Sequence, residues 1–217
     1  RLKTALEAQR WTVWPEAEAA RAALQDDLAG ARRSMSVAAP PPEALVAALN
    51  DRVDETDLIF SGVGTHKLAL ARDFSARAPG QIVIGNGLAG MGFALPGAIA
   101  AARLFPDRPV AALCGDGDAM MNVQDMETAT RLDLGLTLIV WVDGGYGLIE
   151  DKQEDDTGTR PDLSFHPTEW SALARAFGWE HVGCETAEQM GEAFSTARHS
   201  GRRRIVTVPV TYRGKLA

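Results

Sequence analysis

Two short stretches carry the residue types best suited to chemistry: Gly115-Asp116-Gly117 and Asp143-Gly144-Gly145. Each Asp follows directly on an apolar run, 110–114 or 136–142, of the kind that forms a buried strand. If those strands are neighbours, both carboxylates enter one crevice. Two anionic oxygens, together with backbone carbonyls laid open at glycine, suit Mg²⁺, which takes oxygen ligands and commonly shares them with substrate phosphates. Glycine also lets the backbone approach a phosphate closely, and a helix after Gly117 would aim its first amides at that anion. The plainer reading is that Asp116 and Asp143 cap turns.

A second chemistry competes. Gly85-Asn86-Gly87-Leu88-Ala89-Gly90 matches G-x-G-x-x-G between a strand and a helix, and Asp116 downstream could bind a ribose, which would make a dinucleotide site. That reading leaves Asp143-Gly144-Gly145 without a role. The same glycines, with Ala94, Gly97, Ala98, Ala101 and Ala102, would also serve plain close packing of a helix on a sheet.

The elements that must position these residues follow a regular pattern. Strands are expected at 57–60, 81–84, 110–114, 136–142, 180–183 and 204–210. Helices are expected at 43–53, from Gly64 through Phe74, up to about Leu104, and at 123–132, 168–177 and 187–198. Strands alternating with helices, with near-continuous apolar strands, predict an α/β fold: a parallel sheet with helices on both faces. In such sheets ligands sit beyond the carboxyl ends of the strands, and four consecutive strands here end in glycine-rich turns.

Composition is ordinary for a globular chain: 217 residues, 46% hydrophobic and 24% charged, enough for one good-sized domain with an attached segment. The net charge of −7 argues against general nucleic-acid binding, which needs clustered Lys and Arg. The tight basic cluster Arg202-Arg203-Arg204 reads as the start of a surface strand. With no apolar run of about 18 residues, no membrane span is expected. Cys114 and Cys184 read as small buried hydrophobes in a reducing, cytoplasmic setting. Residues 1–39 are rich in Ala, Arg, Glu and Asp, with a helix expected after Pro15, and Trp11 and Trp14 lack a core of their own. Pro40-Pro41-Pro42 then punctuates the chain. The division expected is 1–41, a linker or tail of a preceding domain, and 42–217, the α/β domain.

Several motifs in register resemble one family. Gly115-Asp116-Gly117, then residues 118–142, then Asp143-Gly144-Gly145-Tyr146-Gly147 is similar to the thiamine diphosphate motif. GVGTHK from Gly62, GNGLAGMGFALPGAIAA from Gly85, GDGDAMMNVQDMETATRL from Gly115 and VPVTYR from Val208 resemble acetolactate synthases and their relatives in order and spacing. The resemblance implies a diphosphate-binding domain with thiamine diphosphate and Mg²⁺ as cofactors. Asp116 and Asp143 would bind Mg²⁺ through carboxylates and Gly145 through its carbonyl. Thr65 and His66, with backbone around Gly115, Gly117, Asp118 and Ala119, would hold the diphosphate. Met91 would lie beneath the bent cofactor, backbone groups of Ala89 and Met91 would meet its aminopyrimidine, Leu148 would lie near the thiazolium, and Tyr146 and Gly147 would also bind the cofactor. Lys152 and Gln153 fall near a substrate-facing position. His66 is otherwise an ordinary helix-start residue, and Met91 and Leu148 ordinary core. Two departures stand out: Gly144 sits where Asn is common, and Gly62 where Asp is common, which would weaken a turn contact.

The implied reaction is decarboxylation of a 2-keto acid, pyruvate, with joining to a second carbonyl to give acetolactate or a similar acyloin. The Glu that activates the cofactor belongs to a separate pyrimidine-binding domain, on the same or another chain, so no catalytic acid is expected in this one. A homodimer or homotetramer follows, and this chain would be a fragment or one subunit. Other readings are a related decarboxylase or carboligase, a non-catalytic cofactor-binding module, and the dinucleotide-binding dehydrogenase.

Overall fold

The computed structural model describes Ala19 and residues 39–212. Among these residues the order is α1 (Pro42–Asn50), β1 (Leu58–Ser61), α2 (Thr65–Asp73), β2 (Ile82–Ile84), α3 (Ala94–Leu104), β3 (Val110–Gly115) and α4 (Asp116–Met121). A 3₁₀ turn (Val123–Asp125) leads to α5 (Met126–Arg131), β4 (Leu136–Val142), α6 (Gly147–Thr157), α7 (Trp170–Ala176), β5 (Glu180–Gly183), α8 (Ala187–Arg198) and β6 (Arg203–Pro209). The expectations for Trp11, Trp14 and the helix after Pro15 lie outside the described residues.

All five strand pairings are parallel, in the order β2-β1-β3-β4-β6-β5. Side chains alternate between the two faces, as the pleat requires. On β3 and β4, Ala111, Leu113, Ile139 and Trp141 pack with α1, α2 and α8 through Leu45, Leu49, Leu70, Met190 and Phe194. Val110, Ala112, Cys114, Leu138 and Val140 pack with α3, α5 and α7 through Leu95, Ile99, Met126 and Trp170. Burial on both faces explains why these strands read as unbroken apolar runs. Both cysteines are free and buried. No helix of the described residues is long and apolar enough to cross a membrane.

The chain runs outward from β1 to β2 and returns to β3 on the other side of β1. This reversal opens a crevice beyond the carboxyl ends of β1 and β3. Gly115 pairs in register with Trp141, so Asp116 and Asp143 leave adjacent strands at nearly the same level.

Three local expectations are corrected. The helix expected at 123–132 is broken into a 3₁₀ turn and α5, while α4 begins earlier, at Asp116. Helix α6 was not anticipated. Strand β6 is not at the surface: it lies between β4 and β5. Its arginines are held by acids, Arg203 by Asp133 at 2.8 Å and Arg204 by Glu180 at 2.7 Å.

Candidate active site

Beyond β1, β3 and β4 lies a cleft of about 250 Å³. Asp116, the first residue of α4, is 3% exposed. Its Oδ1 accepts the Gly117 N–H and its Oδ2 the Gly144 N–H, each at 2.8 Å. The carboxylate therefore ties the end of β3 to the turn after β4. Gly144 holds a φ of 80°, in the left-handed region that suits Gly and Asn, and a Cβ there would meet open space. This explains how Gly can stand where Asn is common without altering the turn.

Asp143 stays open on its cleft side, yet protein crowds it enough to strip much of its hydration. That loss, reinforced by the Asp116 charge and a hydrogen bond to it, pushes the Asp143 carboxyl up to about 7. Two acids competing for one proton is the signature of a site short of positive charge. Among the described residues no group of three or more His, Cys, Asp or Glu gathers to hold a metal. The arrangement offers two carboxylates, with Gly145 lining the same cleft.

On the β1 side, Thr65 and His66 open α2 and are 8% and 2% exposed. Burial drives the His66 ring down to about 4, against the opposing pull of the Asp118 charge and a hydrogen bond to the Gly62 backbone. The ring is thus neutral, and its buried Nε2 has no partner among the described residues. An orphaned polar atom in a cleft is what an absent polar ligand leaves behind. Nearby, burial and the Asp118 charge raise the Cys114 thiol well above its ordinary range, which excludes thiolate chemistry.

The third wall is the segment between β2 and α3. Ala89 and Met91 line the cleft. Ala89 sits at a φ of 50°, a conformation costly for alanine. Because α3 begins only at Ala94, the Gly85-to-Gly90 stretch does not open directly into helix amides as a dinucleotide fingerprint does.

Of the sequence-predicted residues, Thr65, His66, Ala89, Met91, Gly115, Asp116, Gly117, Asp118, Asp143, Gly145, Tyr146, Gly147 and Leu148 all line this cleft. Ala119 does not: its side chain is buried in the core beneath. Lys152 and Gln153 do not line this cleft; both are exposed on α6, Lys152 near Asp156 at 3.8 Å. Sequence reasoning missed Val63, Gly64, Ile149 and Tyr212 as lining residues. Burial and the charges of Asp143 and Asp116 hold the Tyr212 phenol protonated. Its only sequence signal was its place in the VPVTYR ending. In the turn after Gly62, Asp118 Oδ1 accepts the Val63 N–H at 2.9 Å.

Comparison with known proteins agrees with this geometry. Residues 62–208 match the thiamine pyrophosphate enzyme family, C-terminal TPP binding domain. The catabolic acetolactate synthase of Raoultella terrigena is 30% identical over 172 residues, covering 79% of this chain and 31% of that protein. The pyruvate oxidase of Lactiplantibacillus plantarum (strain ATCC BAA-793 / NCIMB 8826 / WCFS1) is 29% identical over 166 residues, 76% of this chain and 28% of that protein. In structure, the Rhodococcus jostii RHA1 thiamine diphosphate-dependent 4-hydroxybenzoylformate decarboxylase superposes with a TM-score of 0.76 at 23% identity, covering 83% of this chain and 34% of that one. That likeness is one of fold. The chain spans less than a third of the length of the two curated relatives. With the match covering every strand-end turn of the cleft, the chain belongs to the thiamine pyrophosphate enzymes and carries their C-terminal TPP-binding domain.

Proposed function

We propose that this chain supplies the diphosphate- and Mg²⁺-binding half of an active site that decarboxylates a 2-keto acid, pyruvate, and joins the remainder to a second carbonyl, giving acetolactate or a similar acyloin. The observation that carries the reading is the pair Asp116 and Asp143, brought to one cleft from adjacent strands. Residues 42–217 form this half, and 1–41 link it to a preceding domain. The activating Glu comes from a pyrimidine-binding domain of the same or another chain, in a homodimer or homotetramer. Two buried free cysteines are in keeping with a cytoplasmic location.

The residues present fit the cofactor. Asp116 and Asp143, with the Gly145 carbonyl, would hold Mg²⁺, an oxygen-seeking ion that relieves the repulsion between the two acids. Thr65 and His66, which open α2 at the wall of the cleft, would meet the diphosphate. Met91 and Leu148 present apolar surface that excludes water from the reacting carbonyl. When bound, thiamine diphosphate supplies the electron sink for the pair left on the carbonyl carbon as carbon dioxide departs.

The test is product analysis by NMR after incubating the full protein with pyruvate, thiamine diphosphate and Mg²⁺. Acetolactate supports the reading. Acetaldehyde alone moves the function to simple decarboxylation. Cofactor binding with no turnover of any 2-keto acid leaves a non-catalytic module, and Mg²⁺-independent binding of NAD in place of thiamine diphosphate overturns the cofactor assignment.

A further inference from the structure

Asp118 is 2% exposed and accepts two backbone hydrogen bonds through one oxygen. Oδ1 takes the N–H of Val63 at 2.9 Å and the N–H of Gly92 at 3.0 Å. These donors belong to different turns, one after β1 and one before α3, and Asp118 itself lies in the first turn of α4. One carboxylate thus joins three segments that are distant in sequence. Two of these anchors, Val63 and Asp118, line the cleft themselves, and Gly92 follows Met91, which also lines it.

The seat for this carboxylate exists because position 62 has no side chain. A Cβ on Gly62 would lie 1.9 Å from Asp118 Oδ2 and 2.6 Å from its Cγ. A side chain at 62 and the carboxylate at 118 exclude each other. The Gly92 anchor is equally confined: its φ is 84°, and a Cβ there would lie 2.8 Å from Asn122 Oδ1 and 2.9 Å from Met121 Cβ. Backbone can therefore come close enough to donate only because both places are glycine. Hydrogen bonds to an ionised acceptor are the stronger kind, and deleting the acceptor would strand two N–H groups in a buried place.

We propose that the Asp118 side chain is a positioning residue that clamps the turns carrying His66 and Met91 to the head of α4, and that Gly62 is the obligate partner making room for it. The clamp bears on cofactor binding through the function proposed above and on that reading it rests, but its existence is readable without cofactor.

The experiment compares wild type, D118A, D118N, G62A and G62A/D118A in the full protein, with two readouts. The first is amide hydrogen exchange at Val63 and Gly92 without cofactor. The second is calorimetric titration with thiamine diphosphate at saturating Mg²⁺. Exchange at both amides is expected to speed by about tenfold or more in D118A and in G62A, the scale of one lost charge-assisted bond. D118N keeps an acceptor oxygen and stays within about threefold of wild type, a gap worth far less than one such bond. Because G62A acts by evicting Asp118, the double variant is expected to exchange no faster than D118A. Unchanged exchange in D118A, or additive effects of G62A and D118A, overturns the clamp. In the titration, D118A and G62A are expected to weaken cofactor binding by about tenfold, with D118N rescuing it. If wild type binds no thiamine diphosphate, the functional reading fails while exchange still decides the clamp. If D118A does not fold, G62A against D118N decides it in the same way.

Discussion

Asp116 Oδ2 accepts the backbone N–H of Gly144 at 2.8 Å, so the acid at the end of one strand sets the turn that presents the acid at the end of the next. On the function proposed above, metal ligation and turn geometry are therefore not separable at this position. Replacing Asp116 by Ala strands the Gly144 amide and, on that proposal, removes a metal ligand. Mg²⁺-dependent binding of thiamine diphosphate is expected to weaken by about tenfold to a hundredfold. Calorimetric titration with and without Mg²⁺ measures it. Unchanged affinity would remove Asp116 from the metal assignment.

His66 predicts a pH dependence of stability. Its ring falls to about 4 in the folded chain, against 6.5 ordinarily, because burial disfavours the charged form. Between those values the unfolded chain holds more protons than the folded one. Stability is thus fully present above about 6.5 and is lost as pH falls toward about 4, with a limiting slope of about 1.4 kcal/mol per pH unit. Asp143 works the other way, since a carboxyl raised to about 7 favours the folded state at low pH. That opposing effect is common to wild type and H66Q and cancels between them. Urea unfolding of the cofactor-free protein from pH 4 to 8 should show wild type losing ground to H66Q on acidification. Parallel curves would mean that His66 does not titrate as a buried neutral ring.

Much of the scaffold was legible because its cause is local. Strand β4 came out at its true bounds since seven consecutive residues are buried or nearly so. Helix α8 did too: it carries a regular apolar face, and Thr186 caps it by accepting the Gln189 N–H at 3.2 Å. Helix α6 was invisible for the opposite reason. GLIEDKQEDDT has no buried residue and no apolar stripe. What holds it lies in the loop that follows: Arg160 reaches Glu150 at 2.8 Å and Glu154 at 3.1 Å, and Glu150 accepts the Leu163 N–H at 2.9 Å. Without that helix, nothing indicated that Lys152 and Gln153 would fall outside the cleft lining. The acids of the site were readable because each follows an apolar strand, whereas Tyr212 enters the cleft only through the tertiary fold.

Away from the cleft, Arg198 gives a control on stability. Its side chain is 7% exposed and meets Asp57, 2% exposed, at 3.0 Å. It also bonds the Asp54 carboxylate and the Arg52 carbonyl. Burial raises the Asp57 carboxyl, against the pull of Arg198. Removing one partner of such a pair leaves a buried charge uncompensated, so R198A should cost about 3–5 kcal/mol. R198K should cost less but not nothing, because an ammonium lacks the guanidinium fork. The urea midpoint reports both. A loss under about 1 kcal/mol, the range of exposed pairs, would show that the pair is solvated.

Gly117 sets two effects of opposite sign against each other. It lies in α4, where alanine is favoured over glycine by up to about 1 kcal/mol. Yet a Cβ there would sit 2.6 Å from Tyr146 Cε1 and 3.1 Å from its Cδ1. The Tyr146 ring cannot simply retreat, because Phe165 packs against it edge-on with centroids 5.3 Å apart. Forcing extra volume into such a contact costs about 1–3 kcal/mol, so the clash should outweigh the helix preference and G117A should lower stability. In a Y146A background the clash is gone and only the preference remains, so the same substitution should become neutral or stabilising by up to about 1 kcal/mol. A double-mutant cycle read by urea unfolding isolates that reversal. An equal cost of G117A in both backgrounds would mean that the Tyr146 ring does not rest on Gly117, and the wall it gives the cleft would have to be redrawn.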